Sequence, residues 1–140
     1  MKTVVVDPNV ALGWLLLEKD KEALHQYADR LADASANEEV ELVAPYVFDA
    51  ECAYALLKRG RAQGWTEDTI QAYAWVIDSY QVDLADERAP LPEHVELALD
   101  HHVQGYDALY LDMAIERKAV LATTDKGLRA AAERAGVELF

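Results

Sequence analysis

The chain has 140 residues, with 13 Lys+Arg against 26 Asp+Glu and a formal net charge of −13. That length suits a single domain spanning residues 1–140, large enough to bury roughly 68% of its unfolded surface without a disulfide or zinc staple. A hydrophobic fraction of 52% excludes global disorder. The lone Cys52 excludes an internal disulfide and a cysteine zinc cluster, and fits a reducing compartment.

The longest apolar run, residues 10–17, is far short of the roughly 18 residues a membrane span needs. The opening Met-Lys-Thr-Val-Val-Val-Asp is too short and ends too acidic for a signal peptide. A soluble, cytoplasmic protein without membrane contact is expected. Composition also argues against nucleic-acid binding, because such affinity comes from Lys and Arg neutralising phosphates. Two routes escape that argument: divalent cations held by clustered carboxylates, or basic residues concentrated on one face.

Short apolar runs alternate with helical patterns from end to end. Residues 3–6 are β-branched and read as a buried strand. Asp7-Pro8 then reads as a helix cap and first helical residue, opening a helix to about residue 17. Residues 21–34 are amphipathic, and residues 41–44 form a weak strand. Pro45 opens a helix to about Arg59, with Gly60 suited to its end. Thr66 caps a helix to about Tyr80, followed by a short strand at 81–84. Pro92 starts a helix to about Val103. An apolar helix at 106–118, a strand at 119–122, a helix at 125–135 and a terminal strand at 137–140 complete the chain. This alternation predicts an α/β fold: a central parallel sheet in a three-layer α/β/α sandwich. Ligands in such folds bind beyond the carboxyl ends of the strands, near a switch in strand order.

Two strands end in an acid: Val4-Val5-Val6 stops at Asp7, and Val120-Leu121-Ala122-Thr123-Thr124 stops at Asp125. In a parallel sheet both carboxylates emerge on one edge. Either Asp taken alone reads as a helix N-cap, and only their conjunction with further acids points beyond that. Asp107 stands in the first turn of its helix, where an acid complements the helix dipole. Glu51 lies in Val-Phe-Asp-Ala-Glu-Cys-Ala-Tyr-Ala-Leu-Leu at 47–57, apolar nearly all round and expected to be largely buried. There a carboxylate needs either a salt-bridge partner or a cation. Asp49 points about 160° away from Glu51 on the same helix, so at most one of them faces a site. Several carboxylates in one pocket repel one another, and Mg²⁺ or Mn²⁺ relieves that repulsion while supporting phosphoryl chemistry.

Four segments carry a family resemblance: Val-Val-Val-Asp-Pro-Asn-Val-Ala-Leu at 4–12; Pro45, Glu51 and Ala55-Leu56; Tyr-Asp-Ala-Leu-Tyr-Leu at 106–111; and Leu-Ala-Thr-Thr-Asp at 121–125. Together, in order and spacing, they resemble the PIN-domain ribonucleases, and among these the VapC-type toxins of toxin–antitoxin pairs. The resemblance implies a PIN-like α/β/α fold and Mg²⁺- or Mn²⁺-dependent endoribonuclease activity, with Asp7, Glu51, Asp107 and Asp125 as catalytic and metal-binding acids. It also implies an RNA substrate, a cognate antitoxin protein and a homodimer. Asn9 stands where the family often has a small hydroxyl residue, and its amide can still orient a water or carboxylate. Thr123 matches the hydroxyl before the last Asp. Asp112 points about 140° from Asp107 and is left outside the site.

Lys58, Arg59 and Arg61 form the clearest basic cluster. They read either as cations at a helix C-terminus or as RNA phosphate contacts. Lys58 follows Glu51 by seven residues, on the same helical face and about 10 Å further along. His25, His94, His101 and His102 lack zinc-site spacing and read as solvated helical residues. Cys52 reads as a small core residue, and the tryptophans and tyrosines as packing or partner-contact residues. Haloacid-dehalogenase and receiver-type phosphoryl chemistry want further acids where Asn9 and Pro8 stand. The remaining rival is a PIN-like interaction module without activity.

Overall fold

A computed structural model describes residues 1–15, 21–86 and 88–140. Among them, four strands and seven helices follow in the order β1 (Lys2–Val6), α1 (Pro8–Gly13), α2 (Glu22–Ala36), β2 (Val40–Ala44), α3 (Phe48–Gln63), α4 (Glu67–Asp78), β3 (Asp83–Leu84), α5 (Leu91–His101), α6 (Asp107–Arg117), β4 (Val120–Ala122) and α7 (Lys126–Ala135). The expected final turn of the first helix, at residues 16 and 17, lies outside the described residues.

The strands form one parallel sheet in the order β3-β2-β1-β4. Val4, Val5 and Val6 are all fully buried, so β1 is covered on both faces, as its unbroken valine run requires. The chain leaves β1 toward β2 and then β3, and returns across the sheet to place β4 on the other side of β1. Right-handed crossovers put the β1–β2 and β2–β3 connections on one face and the β3–β4 connection on the opposite one. Packing agrees: α1 meets α2 and α3, α3 meets α4, and α6 lies against β1 and β4 with α5 and α7 beside it. The result is the expected α/β/α sandwich, with its switch point between β1 and β4.

Three sequence expectations change. The helix expected from Pro45 to Arg59 begins at Phe48 and runs through Gly60 to Gln63, ending on Gly64 in the left-handed region at φ 70°. Gly60 is not a stop signal. It is buried inside α3, where a Cβ would stand 2.7 Å from Ile70 Cδ1 of α4, so hydrogen at this position lets the two helices cross. The terminal strand at 137–140 shrinks to one parallel bridge, Leu121 to Leu139, held by Leu121 N–H on Glu138 O and Phe140 N–H on Leu121 O. Finally, α3 is not buried all round: Tyr54 and Leu57 are exposed.

Candidate active site

The register of the sheet builds the site. Val6 pairs with Ala122, so the next residue of each strand, Asp7 and Thr123, stand side by side where the sheet ends. Asp7 N–H donates to Ala122 O at 3.0 Å and fixes that junction. The Thr123 hydroxyl donates to Asp7 Oδ2 at 2.6 Å, and Asn9 N–H donates to Asp7 Oδ1 at 3.3 Å. Asp7 is therefore both the cap of α1 and a buried carboxylate at the switch point. The Thr123 hydroxyl also accepts from Asp125 N–H at 3.1 Å, tying the start of α7 to the same spot.

Asp7, Glu51 and Asp107 line one cavity of about 690 Å³, together with Asn9, Tyr54, Lys58, Arg59 and Tyr106. Three of the four expected acids thus converge from β1, α3 and α6. Asp125 does not line the cavity. It is exposed, and its Oδ2 accepts from Leu128 N–H at 2.8 Å as the cap of α7, yet its charge acts on both Asp7 and Asp107. Asp49 is exposed away from this cavity, and Asp112 lines a different one. Of the basic cluster, Lys58 and Arg59 line the cavity and Arg61 does not.

Glu51 lies in the first turn of α3, because that helix starts later than expected. It makes no cap. Its Oε1 instead accepts from the Tyr110 hydroxyl at 2.7 Å, across from α3 to α6. Sequence reasoning misses Tyr110, although a signal for it exists. A tyrosine in an apolar helix needs a partner for its hydroxyl, and an acid in an apolar helix needs a donor.

The carboxylates burden one another. Burial pushes Asp7 above the ordinary carboxylate range, and Asp125 adds to this, while the Thr123 and Asn9 hydrogen bonds oppose it. Burial raises Glu51 as well; the Tyr110 hydrogen bond lowers it, and the charges of Asp7 and Asp107 raise it. Asp107 is pushed up to about 6 by burial and then by Asp7 and Asp125. Among the described residues none of the four forms an ion pair. Nor, among those residues, do three His, Cys, Asp or Glu side chains stand at a spacing that closes around a metal ion. The donor set is all oxygen, net negative and open to solvent, which fits a hard divalent cation that keeps several waters rather than one held in a protein cage.

Cys52, His25 and Trp14 serve packing and helix contacts, away from the chemistry. Burial pushes the Cys52 thiol up to about 12, so it is a core residue and not a nucleophile. His25 bonds Gly13 O at 2.8 Å, between α2 and α1. Trp14 is buried and stacks on Tyr80 with centroids 4.0 Å apart.

A parallel sheet in this order, with acids gathered at its switch point, defines a class of α/β fold; the sequence model of the PIN domain family matches residues 4–134, and the chain belongs to that family. Solved structures agree in fold. PAE2754 from Pyrobaculum aerophilum superposes with a TM-score of 0.66 at 20% identity, covering 93% of this chain and 86% of that one. VapBC2 from Rickettsia felis, crystallised bound to a DNA fragment from their promoter, gives 0.62 at 15% identity over 99% and 97%. A domain of a functionally unknown protein from Methanocaldococcus jannaschii gives 0.53 at 18% identity over 100% and 90%. No curated protein sequence matches. Among the described residues no helix is long and apolar enough to cross a membrane.

Proposed function

We propose that this single PIN-like unit is a metal-dependent endoribonuclease and the toxin of a toxin–antitoxin pair. The observation that carries the reading is the convergence of Asp7, Glu51 and Asp107 on one cavity at the sheet's switch point, with Asp125 electrostatically coupled to it. These four acids are the proposed catalytic set, and the same residues would hold Mg²⁺ or Mn²⁺. When bound, such a cation supplies Lewis acidity to the phosphodiester and to an attacking water.

The chain's own residues supply placement. Thr123 and the Asn9 N–H hold the Asp7 carboxylate still, and Tyr110 does the same for Glu51. The Asn9 side chain is exposed at the cavity, and in this reading its amide would orient a water. Lys58 and Arg59 offer positive charge to an RNA phosphate next to the scissile one, offsetting the repulsion expected from a charge of −13. Water adds to phosphorus and the 3′ oxygen leaves, giving a 5′-phosphate and a 3′-hydroxyl. A metal-free cavity of carboxylates also suits inhibition by an antitoxin that inserts an Arg or Lys. The VapBC2 fold likeness supports that partnership, and a homodimer is proposed with it.

The test is cleavage of RNA with Mg²⁺, Mn²⁺ or EDTA. Asp7→Asn and Asp107→Asn should abolish cleavage with the fold intact. Cleavage that survives EDTA and leaves a 2′,3′-cyclic phosphate sinks the proposal, and a wild-type protein that never cleaves leaves only the interaction-module reading.

A further inference from the structure

The chain has seven tyrosines. Five have partners within the fold. Tyr27 packs edge-on against Phe140, Tyr73 against Trp65, and Tyr80 stacks on Trp14. Tyr46 lies under the Arg88 guanidinium, and Tyr110 bonds Glu51. Of the seven tyrosines, all of them among the described residues, Tyr54 and Tyr106 are the two with no ring or hydrogen-bond partner, and they are 67% and 56% exposed. Both line the carboxylate cavity. An aromatic face left in water forgoes burial, so two unpartnered rings at one site are in place to receive a planar ligand.

Their positions are ordered relative to the acids. On α3, Glu51, Tyr54 and Lys58 stand at i, i+3 and i+7. They fall within about 60° of one another around the helix, about 4.5 Å and 10.5 Å along it from Glu51. The face therefore reads carboxylate, ring, cation. Tyr106 precedes Asp107 and sets a second ring beside a second carboxylate. A single nucleic-acid strand presents phosphate, base and phosphate in the same alternation.

We infer that Tyr54 and Tyr106 are base-stacking residues that hold unpaired nucleotides on either side of a phosphate placed at Asp7, Glu51 and Asp107, with Lys58 on the neighbouring phosphate. The inference rests on the ribonuclease reading and deepens it by naming the side chains of this chain that would hold the bases flanking the scissile phosphate. A base inside an A-form duplex is stacked on its neighbours and cannot lie on a protein ring, whereas an unstacked base can. Stacking is tolerant of base identity, so the two rings select strandedness and leave sequence to other contacts.

The probe is a short single-stranded oligoribonucleotide carrying 2-aminopurine, with the same sequence in a duplex as comparison. Binding is read from quenching in Mg²⁺, on an Asp107→Asn background to prevent cleavage, and KM is read on the otherwise wild-type protein. Tyr54→Ala and Tyr106→Ala should each weaken binding and raise KM by about 5- to 150-fold, the range of one lost base–aromatic stack. Tyr54→Phe should restore most of that loss, because the ring and not the hydroxyl does the stacking. Trp75→Ala, an exposed aromatic outside this cavity, serves as the surface control.

Four results overturn the inference: Ala variants that bind and cleave like wild type, a Phe variant as weak as Ala, a preference for the duplex, or an effect on self-association alone. The last would assign these rings to a protein contact. Protein that cuts RNA through Asp7 and Asp107 with unchanged KM in the Ala variants sinks this inference alone. Protein that neither binds nor cuts RNA sinks the ribonuclease reading with it.

Discussion

The buried Tyr110 hydroxyl donates to Glu51 Oε1 at 2.7 Å, joining α6 to α3 beneath the candidate site. The bond occupies one carboxylate oxygen and leaves the other for the cavity. Tyr110→Phe keeps the ring in the core and removes only the donor. A half-buried carboxylate that loses a hydrogen bond costs about 1–2 kcal/mol of stability. Activity should fall mainly in kcat, because a Glu51 free to turn is badly placed and not absent. Denaturant unfolding and steady-state kinetics check both. A variant equal to wild type in both measurements shows that the bond does not position Glu51.

The raised carboxyls fix the direction of a pH effect in metal-free protein. Asp107 titrates at about 6 in the fold against 3.8 ordinarily. Between those values the folded protein holds a proton that the unfolded chain has released. This group's contribution is therefore most favourable below 3.8 and becomes unfavourable as pH rises through about 6. Asp7 and Glu51 shift in the same direction. The melting temperature without metal should rise as pH is lowered from about 7.5 to about 5.5. Mg²⁺ should raise it at the higher pH and less at the lower, since cation and proton relieve the same repulsion. Asp107→Asn should flatten the profile. A melting temperature that falls steadily over this interval contradicts the shifts.

Asp125 separates a cap from a site residue. Its carboxylate accepts from Leu128 N–H, and an asparagine accepts equally well. Asp125→Asn should keep the melting temperature and lose much of the cleavage. Asp125→Ala should lose both, with about 1 kcal/mol of stability from the missing cap. If Asp125→Asn cleaves like wild type, this residue is a cap alone, as its exposure permits.

The strand ends are the most legible part of the sequence. Short apolar runs, Val4-Val5-Val6 before Asp7 and Val120-Leu121-Ala122 before Thr123-Thr124-Asp125, carry local information: strand, turn, cap. The parallel register then brings Asp7 to Thr123 without further instruction. Glu51 is legible as an acid that its helix does not explain. What stays hidden depends on partners distant in sequence. Gly60 looks like a helix end because glycine usually is one; its reason is Ile70, on the next helix. Tyr54 and Leu57 look like core because apolar types do not say whether the chain covers them. Tyr110 and Glu51 each lack a visible partner, and only the packing of α6 beside α3 makes them partners of each other.

Two glycines inside helices should respond differently to alanine, which in an open helix position gains about 1 kcal/mol over glycine. At Gly13 a Cβ would stand 2.8 Å from Ala28 Cβ and 3.1 Å from the Leu24 backbone oxygen. Neither atom can turn away, so α1 and α2 must separate. At Gly60 the nearest atoms are Ile70 Cδ1 at 2.7 Å and Cγ1 at 2.8 Å, the outer part of a flexible side chain that is only partly buried. Rotation of Ile70 relieves much of that clash. Gly13→Ala should therefore cost about 2–3 kcal/mol and Gly60→Ala about 1 kcal/mol or less, within the range that overpacking spans. Ile70→Val should soften the Gly60→Ala effect in a double variant, because it removes the Cδ1 that the new methyl meets. Urea unfolding of wild type, the two glycine variants, Ile70→Val and the double variant measures the order and the coupling. A Gly60→Ala variant less stable than Gly13→Ala would mean that the α3–α4 crossing, and not the α1–α2 contact, is the tighter of the two.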